Sequence, residues 1–183
     1  MTFDPDEHHR RSIRLKGYDY SRAGAYFVTI CTHDRECLFG EIMDGEMRLN
    51  DAGQAAQADW VRLPERFQSI ELDEFVIMPN HLHGIILVGA GVAPPDRGAP
   101  NRGACRGAAC CAPTLGHILR AFKSISAIAV NRLLGRSGRS LWQRNYYEHI
   151  VRSENELARI REYIANNPAQ WALDRENPDC VGA

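Results

Sequence analysis

Two histidines separated by one bulky apolar residue lie in the run Met78-Pro79-Asn80-His81-Leu82-His83-Gly84. On a strand, residues i and i+2 point to one face, so both imidazoles project together while Leu82 packs on the other side. Two neutral imidazoles so placed can hold a divalent metal, and equally can be satisfied by hydrogen bonds. If they bind a metal, open positions remain for a carboxamide or carboxylate oxygen, water and a phosphate oxygen, a donor set suited to Mg²⁺ or Mn²⁺. Far along the chain, Tyr163 and Asn167 are four residues apart on a predicted helix and share a face. Taken singly, Tyr163 also fits a half-buried packing role, and Asn167 fits a helix C-cap, although the following Pro168 disfavours an α-region residue there.

The elements that must bring these residues together follow from pattern. Tyr26-Phe27-Val28-Thr29-Ile30-Cys31-Thr32 is aromatic and β-branched and reads as a central strand. Asp44-Gly45 marks a small hairpin between Leu38–Ile42 and Met47–Leu49. Asn50 or Asp51 caps a helix running to Val61 and ending before Pro64. Glu71 to Met78 and His81 to Val88 form two strands around a Pro79-Asn80 turn. A long helix opens at Thr114, carries Leu115, Ile118, Leu119, Phe122, Ile125, Ala129 and Leu133 at helical spacing, and stops at Gly135. Leu141 to Val151 contains a last strand preceded by an aromatic loop. Ser153 and Glu156 then form a capping box for a helix through Leu157, Ile160 and Ile164, which ends at Pro168. This order predicts an α+β fold, a ferredoxin-like or RRM-like antiparallel sheet backed by helices.

At 183 residues the chain suits one domain. Residues 1–20 read as a basic N-terminal arm, 21–172 as the folded domain, and 173–183 as a C-terminal tail. The Gly-, Ala-, Pro- and Arg-rich stretch of about 89–113 reads as a flexible insertion. No apolar run approaches the roughly 20 residues of a membrane span, and the acidic start does not resemble a secretory signal, so a cytoplasmic protein without a membrane partner is expected. The six cysteines lack C-x-x-C pairs, which argues against a structural zinc.

The net charge of −1 hides a strong asymmetry. Between Asn101 and Arg152 there are nine Arg or Lys and one acid, Glu148, and the N-terminal arm adds Arg10, Arg11, Arg14 and Lys16. Such a distribution suits a basic face that takes up phosphates, and suits solvated loop charge equally.

The His81-Leu82-His83 run resembles the histidine–hydrophobe–histidine motif of the HUH single-stranded DNA endonucleases. Tyr163-Ile164-Ala165-Asn166-Asn167-Pro168 resembles the tyrosine helix of IS200/IS605-type Y1 transposases, above all their REP-associated tyrosine transposase relatives. Phe122-Lys123-Ser124 and Trp142-Gln143-Arg144-Asn145-Tyr146-Tyr147-Glu148-His149 are similar to the same group, so the likeness spans about Arg11 to Trp171. The resemblance implies a metal-dependent transposase-type endonuclease that cleaves and rejoins single-stranded or hairpin DNA through a 5′-phosphotyrosine. It makes Tyr163 the nucleophile and His81, His83 and Asn167 the ligands of Mg²⁺ or Mn²⁺. Asn167 stands where related transposases also carry Gln. It further implies phosphate contacts from Arg14, Lys16, Arg120, Lys123 and Arg144 and base stacking by Trp142, Tyr146 and Tyr147. Tyr146 and Tyr147 are rival nucleophiles by type, but they match the Trp-Gln segment rather than the tyrosine helix. Both a homodimer, with the tyrosine helix serving the partner's site, and a monomer fit the resemblance. The competing readings are a non-catalytic RRM-like nucleic-acid-binding module, a domesticated repeat-binding protein, and a metal hydrolase in which Tyr163 has no role.

Overall fold

A computed structural model describes residues 22–89, 113–174 and 176–178. The expected basic arm, with Arg14 and Lys16, lies outside the described residues, as does the expected insertion apart from its first and last positions. The elements are β1 (Gly24–Cys31), β2 (Gly40–Met43), β3 (Glu46–Leu49), α1 (Asp51–Val61), α2 (Leu63–Arg66), β4 (Ile70–Ile77), β5 (His81–Val88), α3 (Leu115–Leu133), β6 (Tyr147–Val151) and α4 (Glu154–Asn166). The expected α+β sheet with helices is what forms. Four strands in the order β4-β5-β1-β6 pair antiparallel, and β2 and β3 make a separate hairpin. Helix α1 ends at Val61 as expected, yet a further helical turn follows with Pro64 inside it. Proline costs nothing there, because a first-turn N–H has no intrahelical partner.

Period-2 alternation along β1 and β5 divides the sheet into two faces. Tyr26, Val28 and Ile30 of β1 and Leu82 and Ile86 of β5 join the larger core with Trp60 of α1 and Leu115, Ile118, Leu119 and Phe122 of α3. On the other face Phe27 and Ile85 pack against Leu157 and Ile164 of α4 in a cluster of four buried residues. Gly84 is required by this packing: a Cβ there would sit 2.6 Å from the Trp60 ring, so the indole lies directly on the strand backbone.

Two devices seat α4. Ser153 Oγ accepts from the Glu156 N–H (3.2 Å) as the capping box predicts, but the Glu156 carboxylate reaches back to the Arg152 N–H (2.7 Å) rather than to that of Ser153, and also meets His149 Nε2 (2.8 Å). Farther along, Arg161 forks onto Asp73 of β4 through Nε and a terminal nitrogen. This bidentate pair ties the helix to the sheet beside the irregularity between Leu72 and Phe75 of β4.

Candidate active site

Strand pairing builds the floor of the site. In the β1–β5 register Thr29 lies opposite His83 and Cys31 opposite His81, all on the α4 face. Both imidazoles are buried, at 0% and 4% exposure. Each has its Nδ1 engaged from behind: Asn80 Oδ1 lies 2.9 Å from His81 Nδ1, and Thr29 Oγ1 lies 2.8 Å from His83 Nδ1. The two Nε2 atoms therefore face one another at 3.0 Å. Burial pushes both imidazoles toward the neutral form, His81 down to about 4, and the neighbouring His81 depresses His83 further. Neutral imidazole is the metal-binding form.

Helix α4 supplies the other half. Its docking brings the Tyr163 hydroxyl to 3.2 Å from His83 Nε2, with the phenol ring edge-on to Phe27. Burial raises the Tyr163 phenol above its ordinary value, the charges of Asp174 and Glu176 push in the same direction, and a hydrogen bond to Asn167 pulls it down. Asn167, one turn on, is 3% exposed and its Oδ1 has no hydrogen-bond partner. It keeps αR geometry in front of Pro168 (φ −58°, ψ −42°), because the chain passes straight into the 3₁₀ turn Pro168–Leu173 instead of leaving the helix.

That turn delivers two acids from the stretch read as a tail. Asp174 Oδ2 lies 3.9 Å from His81 Nε2, and one donor atom from each of His81, His83 and Asp174 falls within 4.8 Å of the others. Glu176 pairs with Arg35 (3.1 Å) and accepts from the Cys31 thiol (3.4 Å). Burial, then the Glu176 charge, push that thiol up to about 12, so it stays protonated. The donor set fits a divalent cation on chemical grounds. Two imidazole nitrogens about 3 Å apart match neighbouring ligands around a cation held at roughly 2.1 Å, and the orphaned Asn167 oxygen is a costly buried acceptor without one.

Beside this centre an open cleft of about 440 Å³ is lined by His83, Tyr163, Phe27, Tyr147, Arg35 and Asp174 among others. Tyr147 is 50% exposed and stands edge-on to Phe27 (6.3 Å), so it can present its ring to a base. Tyr146 also lines the cleft but is partly buried against the larger core, and Arg144 is exposed in the loop just before it.

Two expected DNA contacts are corrected. Trp142 is 6% exposed, donates its indole N–H to Ser126 Oγ (2.9 Å) and packs on Phe39 and Phe122, so it is a core residue with no face to offer a base. Lys123 directs its ammonium at the carbonyl oxygens of Gln143, Arg144 and Asn145, which spends its three donors on holding the loop that lines the cleft. Arg120 is exposed on α3, the helix packed on the sheet face opposite the histidines. Sequence reasoning missed Asp174, Thr29 and Asn80. Asn80 adjoins His81, and Thr29 is found once the strand register is known; Asp174 has no spacing signature.

No family model matches the chain. It is 43% identical over 178 residues to an uncharacterized protein of Haemophilus influenzae, a match covering 92% of this chain and 93% of that one. Its structure is similar to that of a REP-associated tyrosine transposase bound to a REP hairpin, with a TM-score of 0.56, 17% identity, and coverage of 86% of this chain and 74% of that one. No helix among the described residues is long and apolar enough to cross a membrane.

Proposed function

We propose, from the premise that this chain belongs to one family with the Haemophilus influenzae protein and has the fold of the REP-associated tyrosine transposase, that it is a metal-dependent transposase-type endonuclease acting on single-stranded or hairpin DNA. The observation that carries this reading is the Tyr163 hydroxyl 3.2 Å from His83 Nε2, with His81 Nε2 and Asp174 beside it. A tyrosine at the edge of an open cleft, against a divalent-cation donor set, is poised for covalent attack on phosphorus and not for simple water activation.

His81, His83 and Asp174 would hold the cation, with Asn167 Oδ1 as a further donor. Such a cation would supply Lewis-acid stabilisation of negative charge on the phosphate oxygens. Tyr163 Oη forms a bond to phosphorus and the P–O3′ bond breaks. The phenol gives up its proton and the departing 3′-oxygen gains one. The resulting 5′-phosphotyrosine keeps the energy of the broken linkage, and a second 3′-OH can reverse the chemistry on another strand without ATP. Phe27 fixes the phenol ring edge-on, and Asn167 stabilises the phenolate through its hydrogen bond. Tyr147 at the cleft would meet a base, Arg144 in the exposed loop before it would meet the backbone, and Arg120, Arg14 and Lys16 are proposed as further phosphate contacts away from the cleft.

Incubation with labelled single-stranded hairpins and Mn²⁺ or Mg²⁺ tests the reading. A denaturation-resistant protein–DNA adduct that disappears in Tyr163→Phe and on chelation with EDTA is the expected result. Hairpin binding with no adduct in the metal-loaded wild type would favour a binding module, and turnover retained by Tyr163→Phe would favour a hydrolase.

A further inference from the structure

Asn80 is fully buried, and the partners of its side chain define its orientation. Its Nδ2 donates to the carbonyl oxygens of Arg35 (3.1 Å) and Glu176 (2.6 Å). Carbonyls only accept, so the amide nitrogen must face them and Oδ1 must face His81 Nδ1, at 2.9 Å. An amide oxygen also only accepts. His81 therefore carries its proton on Nδ1 and turns a bare Nε2 lone pair toward His83 and Asp174.

The same amide acts a second time through the backbone. Glu176, whose carbonyl it holds, donates its own N–H to Asp174 Oδ1 (2.8 Å). With Oδ1 so occupied, the remaining Oδ2 is the oxygen that lies 3.9 Å from His81 Nε2. The contacts close a ring through His81, Asn80, Glu176 and Asp174, and Asn80 is the member that touches both arms.

We propose that Asn80 is a positioning residue that sets the His81 tautomer and, through Glu176, aims Asp174 Oδ2, so that a single amide orients two of the donors for a divalent cation. This rests on reading His81, His83 and Asp174 as the metal-holding group. Imidazole ligands are commonly fixed in this way by an acceptor on the far ring nitrogen. What is particular to this chain is that the same residue also ties to His81 the third donor, Asp174, which lies 93 positions later in the sequence and outside the sheet.

The test uses the full chain labelled with ¹⁵N-histidine, with His81 assigned by its absence in His81→Gln. In the metal-free wild type at pH 7.5, His81 is expected to show a protonated Nδ1 and an unprotonated Nε2. The opposite tautomer overturns the proposal without recourse to any Asn80 variant, so a variant that fails to fold does not spare it. Mn²⁺ titration by calorimetry gives the second readout. Asn80→Ala is expected to weaken Mn²⁺ about 10- to 100-fold, and a folded Asn80→Ala that binds within twofold of wild type overturns the role. Asn80→Asp keeps an acceptor for His81 but loses both donors, so it should retain the tautomer while amide exchange rises at Glu176 and Asn177; unchanged exchange there removes the second arm. A wild type that takes up no Mn²⁺ would count against the metal-dependent function, whereas the tautomer in the metal-free protein judges Asn80 separately.

Discussion

Strand β5 serves two faces with opposite demands. Leu82 and Ile86 enter a core of twenty-one buried apolar residues among those described, whereas His81 and His83 enter a face where only four residues form the apolar cluster. The first face is closed by α1 and α3 and by the Trp60 indole lying on Gly84. The second is covered by α4 and by the turn that follows it, with Trp171 against His81, and opens into the cleft. Stability is therefore concentrated on one side of a single strand and chemistry on the other, so substitutions one residue apart should separate the two properties.

The largest effect expected is on the chemical face. Tyr163→Phe keeps the ring against Phe27 and removes only the hydroxyl, so adduct formation should fall at least about a thousandfold. Urea unfolding should move by no more than about 0.5 kcal/mol, because Tyr163 is an exposed residue and the ring is kept. A large loss of stability in this variant would blur the division between faces. Leu82→Ala is the mirror experiment. Its side chain is fully buried in the larger core, so truncation should cost about 2–5 kcal/mol in the same urea measurement. At a temperature where the variant remains folded, adduct formation should stay near wild type. Loss of the adduct in a folded Leu82→Ala would mean that the two faces are not independent.

Acid should also weaken the protein through the chemical face. The folded-state pKa values of His81 and His83 lie below the ordinary value because burial disfavours the imidazolium. Between the folded value and about 6.5 the unfolded chain binds more protons, so stability present above pH ~6.5 is lost as pH falls toward about 4, the His81 value. The slope contributed by each histidine is at most about 1.4 kcal/mol per pH unit. Denaturation followed from pH 7 to 4.5 checks this, with His81→Gln expected to flatten the profile; an equal slope in that variant would assign the acid sensitivity elsewhere.

What could be read from the sequence divides along physical lines. His81 and His83 are legible because an i, i+2 pair on a strand shares a face whatever the rest of the fold does, and Tyr163 with Asn167 because an i, i+4 pair on a helix does the same. The α+β order of elements was legible from periodicity and caps. Asp174 was not: it reaches the site because Asn167 stays helical through Pro168 and the chain curls back in a 3₁₀ turn, and a residue brought in by a change of direction carries no period. Trp142 and Lys123 are ambiguous in the sequence for another reason. An indole suits a base or a core, and an ammonium suits a phosphate or a set of carbonyls. Only the positions of Ser126 and of the 143–145 carbonyls decide between those uses.

The smallest expected effects come from the helix caps, where equivalent substitutions should have different consequences. Asn50 Oδ1 accepts from the Gly53 N–H (2.9 Å) and opens α1, and Ser153 Oγ accepts from the Glu156 N–H and opens α4. Replacing either by Ala should cost about 1 kcal/mol. Helix α1 is embedded in the larger core through Ala52, Ala56 and Trp60, so Asn50→Ala should lower global stability and leave the rate of adduct formation unchanged. Helix α4 buries only Leu157 and Ile164, and a helix held by few apolar contacts opens locally before the whole domain does. Ser153→Ala should therefore raise amide exchange along 154–166 and slow adduct formation a few-fold by loosening Tyr163, with a smaller shift in the global midpoint. Exchange that rises equally throughout the protein in both variants would show that α4 unfolds only with the core, and the two faces would then be one cooperative unit.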